Sequence, residues 1–130
     1  MVPTEPAAIT YDNVSDVLAE YVPELKEAYQ GELRWWGDQR PGPHVVYGDI
    51  LNPYLERLLH SGDEAKLRQV FEFVERLAGN PDERVQELVA VTICEYLGGD
   101  AERLSAARRF MGPVTARYSR AVEQFWGGAR

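Results

Sequence analysis

The sequence predicts an all-α protein, with six or seven helices in stacked hairpins that form either a HEAT-like short array or a compact bundle. Two observations lead there. Apolar residues recur at i, i+3, i+4 and i+7 in segment after segment, the spacing that lays one apolar stripe along a helix. Glycine, proline and Asp/Asn clusters then cut the chain between those segments. The β-favouring run Val45-Val46-Tyr47 is too short to commit to a sheet.

Residues 1–9 read as an untied lead-in, and residues 10–130 as a single helical domain. Asp12 or Asn13 caps a first helix to about Tyr21, with Val14, Val17, Leu18 and Tyr21 on its stripe. Pro23 suits the first turn of a second helix reaching about Trp36, in which Leu25, Tyr29, Leu33 and Trp36 share a face. Residues 37–48 hold two prolines and three glycines and are expected to be irregular. The next helix starts most simply with Asn52 as cap and Pro53 at its first position, or earlier at Asp49, and carries Leu51, Tyr54, Leu55, Leu58 and Leu59.

The two segments that follow are the most regular of the chain. Leu67, Val70, Phe71, Val74, Leu77 and Ala78 stripe the first; Val85, Leu88, Val89, Thr92, Ile93 and Tyr96 stripe the second. Val91 and Cys94 widen the second stripe toward another flank, which places residues 82–97 at the centre of the fold. Asp100 caps a helix to about Met111, Gly112-Pro113 breaks it, and a last helix runs from about Val114 to Trp126. The breaks near 61, 80 and 99 fall 18 or 19 residues apart, close to the half-period of a HEAT unit.

At 130 residues the chain can bury a core without disulfides or metals. It has no apolar run of the ~20 residues needed to cross a bilayer, and its N-terminus lacks the pattern of a secretion signal. The lone Cys94 cannot form an internal disulfide, and a cytoplasmic setting is expected. The net charge of −7 is uneven: residues 1–100 carry 19 acidic and 8 basic side chains, whereas residues 101–130 carry six arginines against two glutamates. Such an acidic body disfavours nucleic acid and suits a basic protein partner. Arginines that tie the last helices onto that body explain the same asymmetry.

Few residues carry recognisable chemistry. His44 and His60 lack partners at metal-ligand spacing, one cysteine makes no zinc cluster, and phosphate-binding loops and nucleophile elbows are absent from the sequence. No cofactor, metal or catalytic residue is therefore expected. Unusual residues gather around 37–48, where Trp35, Trp36, Asp38, His44, Tyr47, Asp49 and Asn52, with Glu56 beyond, are the candidate partner contacts. Adjacent tryptophans point about 100° apart on a helix, so one of the two can stand at the surface as an interface anchor. Burial of both under the loop is the plainer alternative. His44 with Asp49 would be the pair to examine in an enzyme.

The run Trp35-Trp36-Gly37, then Pro41-Gly42-Pro43-His44-Val45-Val46-Tyr47-Gly48-Asp49-Ile50-Leu51-Asn52-Pro53, then Glu95-Tyr96-Leu97-Gly98 resembles an uncharacterised bacterial family of small acidic helical proteins. Its members look like the immunity proteins of polymorphic toxin systems. The resemblance implies a monomer or weak homodimer that neutralises a cognate toxin, basic at its contact surface, by binding it. A self-associating helical scaffold is the alternative from another class.

Overall fold

A computed structural model describes residues 8–128, with side chains through Phe125. It is all-α, with seven helices and no strand among the described residues. These are α1 (Val14–Tyr21), α2 (Lys26–Trp36, entered through a 3₁₀ turn at Pro23–Leu25), α3 (43–61), α4 (Glu64–Ala78), α5 (83–98), α6 (Ala101–Arg108) and α7 (Pro113–Gly128). Most of the proposed lead-in, residues 1–7, and the side chain of Trp126 lie outside the described residues. Ile9 is held, since its carbonyl accepts a 2.7 Å hydrogen bond from Asn80 Nδ2.

α5 occupies the centre and packs against α3, α4, α6 and α7. These four neighbours make α5 the element around which the other helices are packed. The apolar stripe explains its place: Val85, Leu88, Val89, Ile93 and Leu97 are fully buried, and Cys94 nearly so. Val91, expected to widen the stripe, is instead 45% exposed. Ordinary winding already sets Val91 opposite the stripe; the π-helical winding of Leu88–Cys94, with its slower rotation per residue, leaves it there and brings Cys94 round to the buried side.

The largest departure from expectation is α3. Its start lies well before Asn52: Pro43 takes the first helical position after Gly42, and the helix runs on to Ser61. Pro53 sits inside it. A proline has no N–H to offer the carbonyl four residues back and its ring collides with that carbonyl. The chain responds just upstream, where Tyr47–Leu51 is π-helical and the Asn52 N–H bonds the Tyr47 carbonyl five residues back. Within the 37–48 stretch, irregular backbone is thus confined to residues 37–42. Gly37, at φ 63°, ends α2 in a conformation that disfavours any side chain.

The expected tie between the C-terminal arginines and the acidic body is visible in two places. Arg103 reaches Glu56 of α3 at 3.6 Å and Arg109 reaches Glu64 of α4 at 3.8 Å. A further tie runs the other way. Glu75 of α4 accepts hydrogen bonds from the Val114 N–H (3.0 Å), the Thr115 N–H (2.9 Å) and the Thr115 hydroxyl (2.8 Å), capping α7 from a distant helix.

Candidate functional site

The candidate contacts divide into exposed and buried groups. Trp36 completes the Leu25, Tyr29, Leu33 face of α2 and is half-buried; Trp35, one residue earlier, is 79% exposed. The rings meet edge to face, 5.5 Å between centroids at 77°, so Trp36 supports Trp35 from behind. The Trp36 indole N–H donates to Glu32 Oε2 at 3.2 Å, one helical turn back. Glu32 in turn faces the Asp49 carboxyl across the α2–α3 boundary. Partial burial, and then this neighbouring carboxyl, push the Glu32 carboxyl above its usual range, while the indole N–H pulls the other way.

Asp38 is exposed on the turn that follows α2. That turn is pinned to α1 because Arg40 bonds Asp16, whose carboxylate also accepts the Tyr29 hydroxyl at 2.6 Å. Together, Trp35, Trp36, Glu32, Asp38 and Asp49 give a surface of one exposed ring flanked by carboxylates. Glu32 was missed from sequence, although its position four residues before Trp36 places it on the same side of the helix.

Tyr47 and Asn52 are structural, not surface contacts. Tyr47 is fully buried and its hydroxyl donates to the Val14 carbonyl at 2.8 Å; burial raises its phenol well above the usual value. Asn52 is 4% exposed, and its amide donates to the Thr92 carbonyl at 3.1 Å. The same Thr92 shares a 2.6 Å hydrogen bond between its hydroxyl and His44 Nδ1. Thr92, inside the π-helical segment of α5, thereby holds α3 on both sides of its own π turn. His44 bonds Thr92 through Nδ1, and no hydrogen bond joins His44 and Asp49 among the described residues. Glu56 lies apart, seven residues beyond Asp49 on the exposed side of α3.

Among the described residues, no three His, Cys, Asp or Glu side chains converge as a metal site would need, and no helix is long and apolar enough to cross a membrane. Cys94 is buried against the Thr115 carbonyl, and burial pushes its thiol up to about 12, leaving no thiolate for nucleophilic work at neutral pH.

A family model matches residues 15–127, nearly the whole helical domain. The chain belongs to the DUF7674 family. That family is described as a domain of unknown function, so membership brings no activity with it. Its match spans α1 to α7 and includes all three tryptophans and both π-helical segments. No curated protein and no solved structure matches the chain.

Proposed function

We propose that this DUF7674 protein is a cytoplasmic, immunity-type inhibitor that neutralises a basic protein toxin by direct binding, and that Trp35 with Glu32, Asp38 and Asp49 is its docking face. The observation that carries the proposal is Trp35, whose ring is 79% exposed beside a carboxyl pair. Leaving so large a ring in water forgoes stabilisation that burial would bring, and tryptophan is among the residues that most often anchor interfaces. The flanking carboxylates would meet a basic surface, speed its approach and reject acidic partners. The uneven charge, strongly negative up to residue 100, extends the attraction beyond the contact itself.

Binding would also settle the strained carboxyl pair. A cation placed between Glu32 and Asp49 offsets their mutual repulsion, and Trp35 offers it an aromatic face. The test is co-expression of the neighbouring open reading frame's product with and without this protein. Inhibition predicts that the neighbour arrests growth alone, that this protein restores it, and that Trp35→Ala restores it less while remaining folded. Full rescue by a folded Trp35→Ala protein would remove Trp35 from the mechanism. A neighbour that is harmless alone would remove the toxin.

A further inference from the structure

A cleft of about 390 Å³ opens between the C-terminal half of α3 and the start of α6. Its lining carries the carboxylates Glu56, Asp100 and Glu102, the imidazole of His60 and the Arg103 guanidinium, and its wall includes Leu59 and Ala106. Part of the charge is already used. Glu56 accepts the Tyr96 hydroxyl at 2.6 Å and lies 3.6 Å from Arg103, while Asp100 caps α6 by accepting the Arg103 N–H at 2.9 Å. Arg103 is itself held flat, 4.1 Å above the Tyr96 ring, and donates to the Tyr96 carbonyl at 2.6 Å. Glu102 has no hydrogen bond or ion pair among the described residues. Three carboxylates against one fixed guanidinium leave the cleft acidic even after these contacts.

An acidic mouth over an apolar wall matches the two parts of a basic side chain, whose methylene stem covers apolar surface while its head stays among polar groups. Glu56 stands seven residues beyond Asp49 on the exposed side of α3, roughly 10 Å along the axis, so one partner surface can span both places. An anionic ligand would have to enter past all three carboxylates, and the two terminal nitrogens of Arg103 are already engaged by Tyr96 and Glu56, which leaves only its buried Nε without a partner.

We propose that the α3–α6 cleft seats an arginine or lysine side chain of the basic partner, as a second anchor beside the Trp35 face. It rests on the docking face proposed above, and the experiment separates the two. A capped hexa-arginine peptide is titrated into the ¹⁵N-labelled protein and amide shifts are followed by NMR. Saturable shifts are expected at residues 59–60 and 99–103. The Asp100→Asn/Glu102→Gln variant, in which Asn keeps the helix cap, should bind roughly three- to tenfold more weakly, the loss expected for two partly exposed charge pairs. Glu83→Gln/Glu87→Gln, an equal charge change on α5, should bind as the wild type does.

Equal weakening by both double variants, or shifts that avoid the cleft, would overturn the cleft. Trp35→Ala/Asp49→Asn, run in the same titration, reports on the docking face alone. Loss there with none from the cleft variant leaves the face and removes the cleft. The reverse result leaves the cleft and removes the face. No loss from either removes both.

Discussion

The contact between Glu75 and the start of α7 supports a quantitative prediction, because its two sides can be altered separately. The Glu75 carboxylate accepts three hydrogen bonds from Val114 and Thr115, and Thr115 is fully buried, so water cannot replace them there. Losing a helix cap costs about 0.5–2 kcal/mol, and leaving a buried donor unpaired about 1–3 kcal/mol. Glu75→Ala should therefore destabilise the fold by about 2–3 kcal/mol. A Cβ at Gly112 would overlap the Glu75 Cδ, so Gly112→Ala must push the carboxylate off its donors. Gly112 has no positive φ, and its own backbone would accept alanine. The cost of Gly112→Ala, about 2 kcal/mol in the wild type, is thus the lost cap. With Glu75→Ala already present the obstruction is gone, and Gly112→Ala should become neutral or stabilising by roughly 0.5 kcal/mol through the unfolded state. Urea unfolding followed by circular dichroism gives the four stabilities. The cycle should show a coupling of about 2 kcal/mol or more; additivity within roughly 0.5 kcal/mol would refute the cap.

Other consequences follow from the same geometry. Burial alone would raise the Glu75 carboxyl, but the Thr115 and Val114 donors outweigh it and hold it below its ordinary 4.5. A depressed acid stabilises the fold above its unfolded value and loses that contribution as pH falls through the folded one. The stability difference between wild type and Glu75→Gln should therefore narrow below about pH 4.5 in acid titrations of unfolding. Tyr47→Phe should cost about 1 kcal/mol by removing the buried bond to Val14 while leaving partner binding unchanged; weaker binding by a folded variant would make Tyr47 more than structural. Carboxyl-carbon NMR should find Glu32 titrating above the usual glutamate range, and Asp49→Asn should bring it down. An unchanged Glu32 would mean the two carboxyls do not meet. Cys94, its thiol pushed up to about 12, should ignore iodoacetamide at pH 8 and react once urea unfolds the chain, as mass spectrometry can record.

The regular parts of this fold were legible because stripe and burial share one cause. The apolar α4 and α5 stripes named from spacing line the core, whereas the four-four-three spacing of Leu25, Tyr29, Leu33 and Trp36 grouped those residues on one face without deciding which of Trp35 and Trp36 stands at the surface. What spacing could not reveal is where helices depart from 3.6 residues per turn. Cys94 is buried because Leu88–Cys94 is π-helical, and α3 starts at Pro43 because one proline opens the helix and the π turn accommodates the other. Local signals at Pro41, Gly42, Pro43, Gly48 and Pro53 all argued for a break, and tertiary packing against Thr92 prevailed.

The candidate site was legible in proportion to how local its parts are. Trp35 and Asp49 could be picked out from residue type and position. Tyr47 and Asn52, equally unusual residues in the same stretch, serve Val14 and Thr92, more than 30 residues away in the chain. Glu75 gave no signal at all, since its partners lie 39 and 40 residues on.

The most direct test of the docking face is isothermal titration of the purified neighbouring gene product into wild-type protein and Trp35→Ala. A one-to-one complex is predicted, weakened roughly 30-fold by Trp35→Ala, the ~2 kcal/mol expected of an interface anchor, with helicity unchanged. Equal affinity for wild type and a fully helical Trp35→Ala would show that the partner is held elsewhere, and the face built on Trp35, Glu32 and Asp49 would fall.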